Sequence, residues 1–242
     1  MKITLQCWLL IIIFKLVFID HSFAQANEKD TISAQEIVKK YIDAEGGFAE
    51  LKKISTVYTE MKGIMDGRNV TLIIKEMLPN KGGFEIVYQD RVVYKEFFDG
   101  MSGFRYEDGN KIPAAPEEFA DKLDKKNIFD ELDYLDTSVF VLGYLGTDIL
   151  DKEAVYKIKA TKKNGAERIL FFSKESFLLV KKENTKSGET GRASKILYKK
   201  FKHFGSILSP TEITMDAGTK NEQKLTITNI YINDKVSSHD FE

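Results

Sequence analysis

Residues 55–78 read STVYTEMKGIMDGRNVTLIIKEML. A period of two places Val57 and Met61 on one face of a strand, and residues 70–74 repeat the same period. Between the two runs stands Asp66-Gly67, a pair typical of two-residue type I′ turns. Because successive side chains of a strand point to opposite faces, this stretch predicts a β-hairpin with one apolar face.

The same alternation recurs along most of the chain and predicts an antiparallel meander of about ten or eleven strands. Several of these strands are about ten residues long, against a typical five to six. Long strands in one sheet coil strongly, so the predicted fold class is α+β, mainly antiparallel β, as a curved incomplete β-barrel. The predicted strands are 55–65, 69–78, 84–88, 92–98, 103–106, 155–161, 168–173, 178–184, 195–203, 209–216 and 224–233.

Helices are predicted to cover the concave face of this sheet. Ser33 and Glu36 form a capping-box pattern that starts a first helix, and Gly46-Gly47 ends it. A short helix over 48–53 follows. Pro116 opens a further helix that ends near Lys125.

The interpretation of residues 127–145 stays open between a lid and a strand, with helix possible from Phe129 to Leu135. The acidic run Asp130, Glu131, Asp133 and Asp136 is interrupted at helical spacing by Leu132 and Leu135. That pattern favours the polar side of an amphipathic segment over a cation site.

The N-terminal segment is typical of a secretory signal peptide. Lys2 precedes an apolar run, Lys15 interrupts it, and small residues provide cleavage patterns after Ala24 or Ala26. The run is too short for a membrane anchor. We therefore expect a soluble protein that works outside the cytoplasm.

The predicted organisation is a signal peptide over 1–24, a disordered N-terminus over 25–32 and a single β domain over 33–242. Cys7 and Trp8, the only cysteine and tryptophan, lie in the signal peptide. No disulfide is therefore expected in the mature protein, although its compartment would permit one.

Composition and motifs argue against several functions. The formal net charge is −1, so no strong field attracts nucleic acid. The basic run from Lys199 to His203 is explained by lysines that face water on a strand.

The sequence has no nucleophile elbow, phosphate loop or His-Glu-x-x-His motif. A secreted hydrolase would need His203 or His239 to converge with a serine and a carboxylate. We expect no enzyme activity, no catalytic residues, no metal and no cofactor.

A set of apolar residues occupies the inward phase of successive strands. One interpretation is a packed core, and the other is an apolar ligand cavity enclosed by a sheet too wide to fill itself. The candidate ligand-binding residues are Met61, Leu72, Ile74, Phe84, Ile86, Tyr94, Phe98, Leu170, Phe172, Leu178, Leu225 and Ile227.

Several short motifs, in order, resemble secreted outer-membrane lipoprotein-sorting proteins, relatives of the periplasmic carrier LolA. The run Tyr-Ile-Asp-Ala-Glu-Gly-Gly at 41–47 resembles their opening, and the match spans about residues 33–234. The other matching positions are Leu51, Ile54, Phe98-Asp99-Gly100, Phe104, Tyr156-Lys157-Ile158, Lys163-Asn164-Gly165, Gly205, Pro210, Ile213 and Ile230-Tyr231-Ile232.

The resemblance implies an unclosed β-barrel with a helical lid and a cavity that shields acyl chains. It implies a periplasmic carrier or chaperone, secreted across the inner membrane, whose partners are lipoproteins or lipid acyl chains and envelope membrane receptor proteins. An envelope sensor or interaction module of the same fold is the alternative. The resemblance also implies an arginine that holds the lid shut. No motif identifies which arginine this is, among Arg68, Arg91, Arg105, Arg168 and Arg192.

Overall fold

Antiparallel strands form one sheet in this computed structural model, which describes residues 32–65, 67–107, 109–185 and 195–242. The first meander consists of β1 (Thr56–Met65), β2 (Arg68–Met77), β3 (Lys81–Tyr88), β4 (Arg91–Phe98), β5 (Gly103–Glu107) and β6 (Asn110–Pro113). The second consists of β7 (Phe140–Leu150), β8 (Glu153–Lys162), β9 (Glu167–Ser173), β10 (Leu179–Asn184), β11 (Lys195–Phe204), β12 (Ile207–Met215) and β13 (Gln223–Ile232). The predicted signal peptide, its cleavage site and residues 25–31 lie outside the described residues.

The two meanders join in the middle of the sheet. The strand order runs from β6 through β1, then from β13 back through β7, so β1 pairs with β13. In that pairing Val57 lies opposite Ile232. β6 and β7 are the outermost strands, and no pairing among the described residues joins them. The predicted incomplete barrel is therefore confirmed.

The strand count among the described residues is thirteen, against the predicted ten or eleven. β6 was missed because it is short and ends at Pro113. β7 falls in the stretch left open at 127–145, where a register shift between Tyr144 and Gly146 interrupts the period of two. Gly146 has a φ of 101°, which glycine adopts without strain.

Helix α1 (Ala34–Glu45) begins and ends as its sequence predicts. The Ser33 side chain accepts a hydrogen bond from the Glu36 amide at 3.1 Å, and Gly46 forms the C-cap. Ile37 and Ile42 are buried against the concave face of the sheet, in one cluster with Ile158, Leu170 and Phe172. Helix α2 (Phe48–Lys52) follows directly.

The chain between the two outermost strands, residues 114–139, is called the lid segment below. It contains a 3-10 helix (Pro116–Phe119), α3 (Ala120–Leu123) and α4 (Asp130–Tyr134). The helix predicted from Pro116 is present, although its first turn is 3-10. A second 3-10 helix (Ser238–Phe241) follows β13. In the part of the chain described here, no helix has the length and apolar character needed to cross a membrane.

Candidate functional site

A cavity of about 300 Å³ lies between α1, the lid segment and the concave face of the sheet. Side chains from both meanders form its apolar floor, because β1 and β13 lie side by side. Met61 and Ile227 are opposite each other in the β1–β13 register, and Ile74 is opposite Thr59 in the β1–β2 register. The apolar floor includes Val57, Met61, Ile74, Ile213, Ile227 and Ile230.

An irregularity in β11 places two aromatic residues at the cavity. Lys200 has a φ of 55°, and the β11–β12 pairing skips this residue. Tyr198 and Phe201 therefore both line the cavity although they are three residues apart. Lys199 and Lys200 are exposed, so the prediction that the lysines of this run face water is confirmed.

Ion pairs hold α4 against the sheet. The Asp130 carboxylate pairs with Arg168 of β9 at 3.0 Å and with Lys125 at 3.4 Å. Lys125 also pairs with Glu76 of β2 at 3.0 Å. Desolvation alone would raise the pKa of Asp130, but Lys125 and Arg168 outweigh it and hold that pKa well below its usual range.

A second ion pair fastens the beginning of the lid segment. Arg105 of β5 contacts Glu118 at 2.6 Å, and Glu118 Oε1 also accepts a hydrogen bond from the Ala115 amide at 3.0 Å. Phe119 is buried next to it and stacks on Phe98 of β4 with ring centroids 5.7 Å apart. Two arginines of the sheet, Arg105 and Arg168, thus each bind a carboxylate of the lid segment.

A pair of carboxyl groups lies at the cavity where α1 meets α4. Glu45, the last residue of α1, is 8% exposed, and Glu131 of α4 is 7% exposed. The two carboxyls are in hydrogen-bonding contact, and the Tyr41 hydroxyl donates to Glu45 Oε1 at 3.4 Å. Desolvation, together with the Glu131 carboxyl beside it, raises the pKa of Glu45 well above its usual range. Desolvation also raises the pKa of Glu131.

The acidic run, predicted to be the polar side of an amphipathic segment, does not face water. Glu131 and Asp133 are buried, and Asp130 is ion-paired with the sheet. Asp133 accepts hydrogen bonds from Asn127 Nδ2 at 2.6 Å and from the Lys126 amide. The reason is that α4 has only five residues and lies inside the concave face, where the sheet supplies cations to its polar side.

Comparison with known proteins adds information at the level of the fold. Neither a protein-family model nor a curated protein matches the sequence. Solved structures do match. A LolA superfamily protein from Nitrosomonas europaea is 15% identical, with a TM-score of 0.58 over 87% of this chain and 98% of its own. A putative outer membrane lipoprotein-sorting protein domain from Vibrio parahaemolyticus is 10% identical, with a TM-score of 0.55 over 86% of this chain and 95% of its own.

The chain has a LolA-like fold. A third structure, a DUF1329 family protein from Desulfovibrio piger, agrees at 14% identity and a TM-score of 0.55, covering 86% of this chain and 97% of that one. At these identities the likeness concerns the fold. The resemblance drawn from motif order along residues 33–234 is thereby confirmed at that level.

Within this LolA-like fold the sequence-predicted site residues fall into separate groups. Met61, Ile74 and Ile227 line the cavity. Leu178 lines a neighbouring pocket beside β8 and β11. The others do not line the cavity. Four are buried in the core, namely Leu72, Leu170, Phe172 and Leu225, and Phe84 and Ile86 pack against that core. Tyr94 is half-buried and stacks on Phe84, and Phe98 is buried under Phe119.

Sequence reasoning missed the polar members of the site. Glu45 and Tyr41 are one helical turn apart on the face of α1 that also carries Ile37 and Ile42. A carboxylate that continues an apolar face at this spacing is a signal that could have been used. His203 and His239 are both exposed, and neither lines the cavity.

Proposed function

We propose that this protein is a non-enzymatic periplasmic carrier or chaperone that binds an acyl-bearing ligand in the cavity. The observation that carries the proposal is the cavity itself, with an apolar floor from both meanders beneath the lid segment. Its volume of about 300 Å³ lies at the lower end of the range of ligand pockets. Each methylene that leaves water contributes about 0.8 kcal/mol, so an acyl chain favours such a site.

The way the lid segment is attached supports reversible binding. The Arg168–Asp130 and Arg105–Glu118 pairs connect it to the sheet, and neither bond is covalent. The Arg105–Glu118 pair is partly open to water, and such a pair contributes little and can be exchanged for hydration. A lid held in this way can open for loading and release. The family arginine implied by the resemblance is best matched by Arg168, because it binds α4 beside the cavity.

We further propose that the ligand is a lipoprotein or its acyl chains, and that the protein takes part in outer-membrane lipoprotein sorting. The support is the shared fold of the putative lipoprotein-sorting domain together with the cavity. Envelope membrane receptors would then be its protein partners. The predicted signal peptide over 1–24 is consistent with such a place of action.

Binding of the neutral fluorescent probe N-phenyl-1-naphthylamine tests the carrier function. Ile74→Glu places a charge in the cavity and should abolish the fluorescence increase. Ile73→Glu on the same strand is the matched control, since Ile73 is partly exposed and does not line the cavity. Circular dichroism establishes that both variants remain folded. Failure of the wild-type protein to bind the probe, or unchanged binding by a folded Ile74→Glu variant, would contradict the proposal.

An envelope sensor or interaction module is the second candidate, and one observation favours it. The outermost strand β7 exposes the apolar residues Val141, Leu145 and Ile149. Apolar groups on an unpaired edge are suited to contact with another chain. Native mass spectrometry of the protein purified from a periplasmic extract separates the candidates. A co-purified lipid supports the carrier, whereas a bare protein that takes up no added lipid supports the interaction module.

A further inference from the structure

Three cationic side chains lie on the core-facing phase of adjacent strands. Lys162 on β8, Arg168 on β9 and Lys182 on β10 continue the inward phase that Ile158 and Leu170 occupy in the core. Lys182 lies opposite Leu170 in the β9–β10 register. Lys162 is 5% exposed and Arg168 is 7% exposed. Because a charged side chain that leaves water loses its hydration, inward cations on three neighbouring strands need polar or anionic partners.

The three cations line a pocket of about 150 Å³ between the sheet and the lid segment, called the polar pocket below. Lys125, Asp130 and Lys182 line both this pocket and the apolar cavity, so the two spaces adjoin. The remaining charged residues that line the polar pocket are Asp121, Lys122 and Asp133. A pocket of this volume has room for several water molecules or for one small anion.

Two of the three inward cations have no carboxylate partner. The Lys162 ammonium donates to the backbone carbonyl of Asp121 at 2.6 Å, which uses one of its three N–H groups on a neutral acceptor. The Lys182 ammonium forms no ion pair or hydrogen bond with the residues that the structure describes, and its charge acts on Asp130 at longer range. Lys162 and Lys182 therefore retain N–H donors for an acceptor in the polar pocket.

The carboxylates at the polar pocket are engaged by other donors. Asp130 pairs with Arg168 at 3.0 Å and with Lys125 at 3.4 Å. Asp133 accepts a hydrogen bond from Asn127 Nδ2 at 2.6 Å. Neither carboxylate forms an ion pair with the two remaining ammonium groups, so their positive charge is available to a ligand.

A phosphate group suits this arrangement of donors best. The two ammonium groups and the Arg168 guanidinium come from three strands, so their N–H donors are spread along the wall of the pocket. A phosphate monoester offers three acceptor oxygens and about −1.5 to −2 charges at neutral pH, whereas a carboxylate offers two oxygens and one charge. Lysine and arginine side chains both bind phosphate. A ligand ammonium would be repelled here, and an alcohol would lack the charge.

We propose that Lys162, Arg168 and Lys182 form a subsite for the phosphate head group of an amphiphile whose apolar chain occupies the adjoining cavity. This inference rests on the proposed carrier function and specifies its ligand class. Lys182 lines both spaces and so lies where the head group meets the chain.

Four probes test the subsite: decyl phosphate, decanoic acid, decanol and inorganic phosphate, each titrated by calorimetry at neutral pH. We expect decyl phosphate to bind at least about tenfold more tightly than decanol, as one charge-assisted hydrogen bond provides. Decanoic acid should bind with intermediate affinity because it carries a single charge. Inorganic phosphate should bind at least about tenfold more weakly than decyl phosphate, since it has no chain to bury.

Lys182→Gln removes one ammonium group from the polar pocket. The ratio of decyl phosphate affinity to decanol affinity should fall by about tenfold. Lys181→Gln is the matched control, because it removes the same charge from the opposite face of the same strand, where Lys181 pairs with Glu183 at 2.7 Å. This control should keep the wild-type ratio. Circular dichroism establishes that both variants remain folded.

The contrary outcomes separate the two proposals. Equal binding of decyl phosphate and decanol by the wild-type protein overturns the subsite and leaves the carrier function standing. Decanoic acid that binds as tightly as decyl phosphate overturns the choice of phosphate. Inorganic phosphate that binds as tightly as decyl phosphate overturns the head-group assignment in favour of free phosphate. If no decyl compound binds, both proposals are overturned.

The two lysine variants decide whether the position of the charge matters. An equal fall of the affinity ratio in Lys181→Gln and Lys182→Gln would reflect net charge alone and overturn the subsite, as would an unchanged ratio in Lys182→Gln. If Lys182→Gln does not fold, the order of affinities in the wild-type protein decides, and decanol binding at least as tightly as decyl phosphate is the contrary result.

Discussion

At the scale of single residues, the contact between Arg168 and Asp130 connects the sheet to α4. Arg168 is 7% exposed, and its guanidinium lies 3.0 Å from the carboxylate. The same guanidinium lies 3.4 Å from the Tyr134 hydroxyl. A nearly buried cation with two partners on one short helix is therefore a direct polar connection between α4 and the sheet.

Arg168→Met should therefore loosen α4 and lower the free energy of unfolding by about 1–3 kcal/mol, since Asp130 then loses a charged partner. Urea unfolding measures the effect. The exposed Arg91→Met is the control and should change stability by less than about 0.5 kcal/mol. Equal effects of the two substitutions would show that the pair does not hold the lid.

The folding stability should depend on pH in opposite directions through the Glu45–Glu131 pair and through Asp130. The lowered pKa of Asp130 adds stability above its unfolded pKa of about 4, and this is lost as pH falls. The raised pKa values of Glu45 and Glu131 add stability below about pH 4, and this is lost as pH rises through the folded-state pKa values. Asp130→Asn should reduce the loss of stability as pH falls below about 4. E45Q/E131Q should reduce the loss of stability as pH rises above about 4. Thermal melting across pH measures both, and unchanged curves would contradict these assignments.

At the scale of elements, the lid segment depends on a glycine beneath it. Gly103 of β5 lies directly under the ring of Phe119, so that a Cβ at this position would overlap the ring. The ring itself is buried on Phe98 and has little room to move. The 3-10 helix at the start of the lid segment can therefore approach the sheet only where the strand has no side chain.

Gly103→Ala should displace Phe119 and destabilise the protein by about 1–3 kcal/mol, as overpacking typically does. Hydrogen exchange at residues 116–123 should rise with it. Gly143→Ala on β7 is the matched control, because nothing lies within 4 Å of the added carbon there. Normal exchange in the Gly103→Ala lid segment would refute this view of the contact.

The sequence predicted those elements whose signals are local. Ser33 and Gly46 mark both ends of α1, and the period of two locates the strands of both meanders. β7 was not resolved from 127–145 because its bulge at Gly146 disturbs that period. The pairing of Glu45 with Glu131 could not be predicted, since it depends on how the lid segment folds back over α1. Local patterns contain no information on that long-range arrangement.

At the scale of the whole molecule, the sheet is joined where β1 meets β13. Asn233 fastens this junction, because its side-chain oxygen accepts hydrogen bonds from the Ser55 amide at 2.7 Å and the Thr56 amide at 3.2 Å. Its amide nitrogen donates to the Lys53 carbonyl at 3.2 Å. One side chain thus links the entry into β1 with the end of β13.

Asn233→Ala should lower the free energy of unfolding by about 1–3 kcal/mol, because the amides of Ser55 and Thr56 lose their partner and Asn favours the observed φ of 54°. Chemical denaturation measures the loss. Asn221→Ala in an exposed turn is the comparison and should be nearly neutral. A neutral Asn233→Ala would mean that backbone pairing alone fixes the junction.

The junction also sets the order of events during synthesis. Ser55 and Asn233 are 178 positions apart, yet they meet in the middle of the sheet. Each meander can form as its own strands emerge, whereas Ile227 and Ile230 reach the cavity floor only with β13. A nascent chain therefore has no complete cavity floor until β13 has been made. A chain interrupted before β13 lacks the two isoleucines that close the floor on this side.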